Sequence, residues 1–350
     1  MPIERPATPL GPIGFVLPTF VQDPNLQGVV PTWAPESGPT EPPDDGDTLQ
    51  SLPQSIVGPL FELRDMCARA EALGADALWV CDHLFWHGPS LECMVTLSIA
   101  ATAAHRSMLG TCVMQLPLRH APEVAKQSAT LQTMTGGRVI LGVGVGSHAG
   151  EYEQAGIDYR GRGRQLDAGI GELRRCWASG HGVTVGAIDG GVNERYRQLP
   201  EPPPIPVWVG GSSEAALRRA ARLADGWMPL YLKPPEYRAA VERLAKEVDR
   251  AGRAAGSVTA SIVLFVSVDD DADAGRRRGT GWMSSFYGIP AKAFDRHLVV
   301  GTAGEVARVI ADYRHAGAEH VAVYVTDDRP LEQFERLTSA LPAAGVTAGR

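Results

Sequence analysis

Short apolar runs recur along the chain, each followed by a longer segment whose apolar residues return every three or four positions. This alternation is the sequence mark of βα units stacked on a parallel sheet. The runs that predict strands are IGFVLPTF (13–20), ALWVCDHL (77–84), MLGTCVMQL (108–116), RVILGVG (138–144), PVWVGG (206–211), GWMPLY (226–231), TASIVLFVSV (259–268) and HVAVYV (320–325). Between most of them lie helical stretches such as PLFELRDMCARAEALG, APEVAKQSATLQTMTGG, SEAALRRAARLAD, PPEYRAAVERLAKEVDRAGRAAG and AGEVARVIADYRHAG, several of which stop at glycine, as helix C-termini do. About eight such pairs predict one α/β domain over residues 1–350, a single (β/α)8 TIM barrel rather than an open doubly wound sheet. No equal-length repeat is visible, which argues against a solenoid.

Three stretches interrupt the rhythm and read as insertions. Residues 21–58 are dense in Pro, Gly, Asp and Ser, and a loop of that length is either a functional lid or disordered. Residues 180–205 end in the stiff PEPPPIP, and residues 269–300 run from an acidic start into aromatics. In a barrel, insertions that build a site fall on the C-terminal face.

Composition narrows the function classes. At 350 residues and 44% hydrophobic content the chain can bury a large core. A net charge of −7, with no cationic run longer than Arg276 to Arg278, argues against nucleic acid or an anionic membrane as partner. That triplet reads as a solvated helix face. Five cysteines, Cys67, Cys81, Cys93, Cys112 and Cys176, are odd in number and lack metal or redox pair spacing, so a reducing, cytoplasmic setting is expected. No stretch reaches the roughly 18 apolar residues of a membrane helix, and the proline-rich start is no signal peptide. No pattern of histidines or carboxylates points to a metal.

Candidate chemistry sits at strand ends. After RVILG come Gly142, Gly144 and Gly146, then Ser147, where backbone N–H groups could approach an anion. The order departs from G-x-G-x-x-G, and a tight structural turn fits equally well. In PVWVGGSSEAALRRAARLADGW, the pair Gly210 and Gly211, Ser212 and Ser213, and a helix start converge as a phosphate cradle would, although one serine could serve simply as an N-cap. Asp82 and His83 end the strand in WVCDHLFWHG, with Trp79, Phe85 and Trp86 as possible aromatic walls; His transfers protons near neutral pH, and a capping aspartate beside a loop histidine is the bland reading. Arg119 and His120 follow the third strand, where an anionic ligand or plain solvent would suit them.

ALGADALWVCDHL, LGTCVMQLPLRHAPEVAKQSATLQTMTGGRVILGVGVG, EYEQAGIDYRGRGRQLDAGIGELRRCW, PVWVGGSSEAALRRAARLADGWMP and VGTAGEVARVIADYRHAGAEHVAVYV together, in this order over residues 13–326, resemble the luciferase-like monooxygenase superfamily, which contains flavin-dependent monooxygenases and coenzyme F420-dependent oxidoreductases. The resemblance implies a cofactor, F420 or else FMN, at the C-terminal mouth of the barrel. Gly210, Gly211 and Ser212 would hold its phosphate. Gly144, Val145, Gly146 and Ser147 would line it, and a non-proline cis peptide would fall at Cys112 and Val113. His83 matches a histidine near the reactive ring, with Asp82 beside it. Sugar-phosphate dehydrogenases of the superfamily carry a glutamate where Ser147 and His148 stand here, which argues against that activity; Glu151 and Glu153 are nearby acidic candidates. The expected function is hydride transfer between F420 and a small organic substrate; the alternative is an FMNH2-dependent monooxygenase served by a separate reductase. A homodimer is implied as well. A barrel hydrolase or lyase acting on a phosphorylated substrate is the more remote alternative.

Overall fold

The computed structural model describes residues 10–19, 58–86, 90–178 and 200–347, with only the backbone for 58–62. Most of the predicted insertion at 21–58 and of that at 180–205, including the lid proposed for the former, lies outside the described residues.

Eight parallel strands close into a barrel: β1 (Ile13–Val16), β2 (Ala77–Val80), β3 (Met108–Thr111), β5 (Val139–Gly144), β6 (Val207–Gly210), β7 (Gly226–Met228), β8 (Thr259–Val268) and β10 (His320–Val325). Closure comes from β10, which pairs with β1 through Ile13↔Val321 and with β8 through Val321↔Ile262. A two-residue strand β4 (Met114–Gln115) continues β3 beyond a cis peptide between Cys112 and Val113 and pairs with the end of β5. The strand β9 (Leu298–Gly301) lies outside the barrel, paired to the second half of β8.

The period of two sorts each strand between two cores. On β10, Val321, Val323 and Val325 face the helix layer, whereas Ala322 and Tyr324 join Trp79, Met108, Ile140, Trp208, Met228 and Phe265 inside the barrel. Helices α1 (Gly58–Ala72), α2 (Cys93–Ala101), α3 (Ala121–Met134), α4 (Ala149–Gln154), α5 (Arg162–Trp177), α6 (Glu214–Leu223), α7 (Pro234–Arg250), α9 (Ala303–His315) and α10 (Pro330–Ala340) follow the strands. Their buried faces have helical spacing: α7 buries Tyr237, Ala240, Leu244 and Val248. At roughly 2 kcal/mol for each fully buried aliphatic side chain, such stripes, rather than helix propensity, hold the outer layer.

The floor of the barrel is polar at one point. Trp79 Nε1 donates to His320 Nε2 at 2.9 Å, and His320 Nδ1 lies 2.7 Å from the Gly11 carbonyl. Gly14 makes room for this pair, since a Cβ there would come within 2.6 Å of His320 Nε2.

Between β8 and α9 the chain makes an excursion through α8 (Ala272–Tyr287) and β9. The sequence pattern conceals this helix because it contains Gly275, Gly279 and Gly281, and glycine weakens a helix interior by about 1 kcal/mol relative to alanine. Two of the three are explained by packing. A Cβ at Gly275 would lie 2.8 Å from Asp269 Cβ, and one at Gly279 would lie 2.5 Å from Leu298. Asp271 caps the helix, accepting from Asp273 N at 3.0 Å and Ala274 N at 3.1 Å, and Gly288 ends it with φ 65°. The Arg276 to Arg278 triplet lies exposed on α8, with Arg278 paired to Asp269 and Asp327. No described helix is long and apolar enough to cross a membrane.

Candidate active site

The C-terminal strand ends bring the sequence-derived candidates to one rim. Two adjacent residues after β2 separate in role. Asp82, with a fully buried side chain, accepts from Gln115 N at 3.0 Å and pairs with Arg119, which also meets Glu92 at 2.9 Å. Burial pushes the Asp82 carboxyl upward and the Arg119 charge pulls against it. Ligand atoms of Asp82, Glu92 and Cys93 lie within 4.8 Å of one another, but Arg119 already supplies the cation that both carboxylates require. Arg119 is therefore structural and unavailable to an anionic ligand, while His120 is exposed near Glu123 at 3.8 Å.

His83 faces a different carboxylate. Its Nδ1 lies 3.0 Å from Glu151 Oε2, which also accepts from Gln115 Nε2 at 2.9 Å. The other oxygen, Oε1, accepts from the backbone N–H groups of Leu84 at 3.0 Å and Phe85 at 3.3 Å. Burial alone would raise the Glu151 carboxyl; these hydrogen bonds and the His83 imidazole outweigh it and hold the group below the usual range. A carboxylate so placed makes His83 Nδ1 the N–H donor and leaves proton exchange to Nε2. The ring lies against Trp86, with centroids 3.6 Å apart, and Trp86 Nε1 donates to the Phe286 carbonyl of α8 at 2.9 Å.

Glu151, on α4, is the partner of His83 that the sequence singled out only weakly. The distance in sequence, 68 residues, and the glycine-rich turn between strand and helix hide the contact. Gln115 was not singled out at all, although its place at the end of the third strand is the signal that could have found it. Its Nε2 also lies 3.2 Å from the Asp82 carbonyl, so one buried amide ties the Asp82 and His83 groups together. Glu153 is exposed.

The glycines have concrete neighbours. A Cβ on Gly144 would lie 2.6 Å from Val113, and one on Gly210 would lie 2.8 Å from the same side chain. Val113 thus occupies a socket between β5 and β6 that only glycine leaves open. Gly146 has φ 65°, and a Cβ there would overlap Gln115 Oε1. Tyr152 donates to the Val145 carbonyl and Tyr159 to the Ser147 carbonyl at 3.0 Å, which fixes the turn. The opening glycine series is therefore at least a packing device.

In the second loop the two serines divide the work. Ser213 caps α6, accepting from Ala216 N at 3.2 Å. The Ser212 hydroxyl accepts from Leu230 N at 3.3 Å and donates to the Leu230 carbonyl, so any anion contact here falls to backbone N–H groups at the start of α6 rather than to that hydroxyl. Gly211 has φ 110°.

The mouth is walled by aromatics that the barrel and α8 share. Phe265 and Tyr324 stack at 5.1 Å, Trp282 and Phe286 at 5.3 Å, and Tyr231 lies 5.7 Å from Phe265. Tyr231 has φ 63°, a left-handed conformation costing a non-glycine residue about 1 kcal/mol, held here by these ring contacts. The buried hydroxyl of Tyr231 faces that of Tyr287 and the hydroxyl of Tyr324 faces Cys81, and neither Tyr231 nor Tyr324 makes a well-aligned hydrogen bond among the described residues. Incompletely satisfied phenols under an aromatic wall fit a planar ligand that carries acceptors.

A βα barrel with a carboxylate-pinned histidine at its mouth defines a class of enzyme, and comparison with known proteins defines the family. The sequence profile of the family described as luciferase-like monooxygenase matches residues 39–320, and the chain belongs to that family. An uncharacterized protein of Mycobacterium tuberculosis is 34% identical over 187 residues, 52% of this chain; the chain spans 61% of the length of that relative. The phthiodiolone/phenolphthiodiolone dimycocerosates ketoreductase of the same organism is 27% identical over 282 residues, covering 72% of this chain and 73% of the ketoreductase. Among solved structures, an F420-dependent secondary alcohol dehydrogenase in complex with an F420–acetone adduct superposes with a TM-score of 0.71 at 19% identity, covering 81% of this chain and 95% of that one.

Proposed function

We propose that the protein is an F420-dependent oxidoreductase that interconverts a carbonyl and a secondary alcohol on a small, largely apolar organic substrate. The observation that carries this reading is the His83–Glu151 pair: hydride transfer to a carbonyl carbon requires a proton at the oxygen, and a pinned imidazole at the mouth supplies one. The ketoreductase and alcohol dehydrogenase likenesses agree with it.

The deazaflavin, when bound, supplies or accepts the hydride. The backbone at Gly210, Gly211 and Ser212 with the start of α6 would hold its phosphate; Cys112 and Val113, with Gly144, Val145, Gly146 and Ser147, would lie along it. Glu151 holds His83 Nδ1–H and stabilises the imidazolium formed when Nε2 takes a proton. Gln115 keeps Glu151 in place, and Asp82, fixed by Arg119, keeps Gln115 in place. Asp82 is thus a positioning residue rather than a proton donor. The phenols of Tyr231 and Tyr324 meet acceptors of cofactor or substrate, and the rings of Trp282 and Phe286 exclude water.

Fluorescence titration of the purified protein with F420, and separately with anaerobically reduced FMN, tests the reading. Micromolar binding of F420, retained in His83→Ala while turnover falls about 100-fold or more, is the expected result. Preference for reduced FMN would replace it by a monooxygenase with a separate reductase. Binding of neither would remove both.

A further inference from the structure

Cys81 and Cys112 follow the paired residues Val80 and Thr111 at the ends of neighbouring parallel strands, and Cys112 N donates to the Val80 carbonyl at 2.8 Å. Their sulfurs lie 3.8 Å apart, and Cys81 Sγ is 3.5 Å from the Cys112 carbonyl. Both are partly exposed at the barrel rim, whereas Cys67, Cys93 and Cys176 are buried. Neighbouring strands run about 4.8 Å apart, inside the roughly 4.4 to 6.8 Å Cα separation that a disulfide tolerates. Closing the sulfurs to about 2.05 Å requires side-chain rotation rather than movement of either strand by a register step.

We propose that Cys81 and Cys112 are a peroxide-oxidised dithiol, a disulfide-forming modification site at the mouth of the barrel. The oxidant is hydrogen peroxide. The Cys81 thiolate attacks one peroxide oxygen, the O–O bond breaks, and hydroxide leaves to become water with the proton that Cys81 released. Cys112 sulfur then attacks the resulting sulfenic sulfur, the S–O bond breaks, and a second water carries off the hydroxyl and the Cys112 proton. Two thiols lose two electrons and one peroxide gains them. The hydrogen bond with Cys81 and burial push the Cys112 thiol well above its usual value, which makes Cys112 a poor first nucleophile towards peroxide. Cys81 stands immediately before Asp82 and His83, so oxidation ties the segment that positions the imidazole to the end of the neighbouring strand. That consequence rests on the proposed function; the disulfide itself does not.

The test is made on the full chain. Reduced protein is exposed to a few equivalents of hydrogen peroxide, unfolded and alkylated without reductant, then weighed intact and mapped after a digestion that cuts between Cys81 and Cys93. The expected result is three alkylated thiols of five, a linked Cys81–Cys112 peptide pair, and recovery of all five with dithiothreitol. In Cys112→Ser the first step remains, so a dimedone adduct replaces the cross-link at Cys81. Five alkylated thiols after peroxide, or a cross-link joining any other pair, overturns the proposal. The wild-type map decides even where a variant fails to fold. F420 titration of reduced and oxidised protein separates the two readings: a disulfide in a protein that binds neither F420 nor reduced FMN leaves this proposal standing and removes the functional one.

Discussion

His320 makes the stability of the barrel depend on pH in a way that the structure specifies. Its Nε2 accepts from Trp79 Nε1 at 2.9 Å, so the ring proton resides on Nδ1 and goes to the Gly11 carbonyl at 2.7 Å. A second proton would have to occupy Nε2, facing the indole N–H that already points there. Burial drives the pKa down, and despite the Gly11 hydrogen bond it falls from 6.5 to about 4. A base with a depressed folded-state pKa stabilises the fold above the unfolded value, and that stability is lost as pH falls from about 6.5 towards about 4. Linkage over this window gives a loss of about 2 kcal/mol between pH 7 and pH 4.5. The assay is urea unfolding followed by tryptophan fluorescence across that range, on the wild type and on His320→Gln, whose amide can serve both partners without titrating. On acidification the wild type should lose about 2 kcal/mol of unfolding free energy relative to His320→Gln. Parallel pH profiles would refute the reasoning.

Gly144→Ala or Gly210→Ala should destabilise the protein by about 1 to 3 kcal/mol by driving a methyl into Val113, and Val113→Ala should restore part of the loss; a thermal melt of each double variant no better than the single would disprove the socket. Arg119→Met leaves the buried Asp82 charge uncompensated and should cost about 3 kcal/mol in urea unfolding, against less than about 1 if the pair were solvated. Glu151→Gln keeps a hydrogen-bonding group but not the charge, so turnover should fall at least about 10-fold with cofactor affinity nearly unchanged; equal losses in both would make Glu151 a folding residue instead. In the wild type the Glu151 carboxyl, held below 4.5, contributes stability above that value which disappears on further acidification, and the Gln variant should lack this component in acid unfolding curves. Asp271→Ala removes the cap of α8 and should cost about 1 kcal/mol, read as a lower melting temperature.

The barrel was legible because each strand is a buried run with a helix of matching period behind it. All eight predicted strands are present, shortened mainly where the chain leaves the sheet, as 77–84 becomes Ala77–Val80. What the pattern concealed was decided by neighbours distant in sequence. The glycines of α8 suppress a helix signal, and two of them, Gly275 and Gly279, are needed by Asp269 and Leu298. The same holds at the site: Asp82 and His83 stood out as a strand-end pair, but which carboxylate serves the imidazole depends on a turn that carries α4 back across the rim. Ser212 shows the reverse, a residue whose type suits an anion but whose hydroxyl is turned onto Leu230. The spacing of Gly144 and Gly210 was equally visible, and its cause, one valine in the link between β3 and β4, was not.

The excursion from β8 to α9 begins and ends at the same place. Val268 is the ladder partner of Gly301, and Asp269 N donates to the Gly301 carbonyl at 2.9 Å. A segment whose ends already touch can be exchanged for another without lengthening any connection, as insertions between adjacent ends are in general tolerated. The floor around Trp79, Trp208 and His320 takes no part in such an exchange, whereas the Trp282, Phe286 and Tyr287 wall leaves with the cassette. On the function proposed above, the barrel is a chassis on which the range of accepted molecules can be regrafted: transplanting residues 269–301 into a related barrel should move substrate preference while leaving the host's thermal midpoint in place.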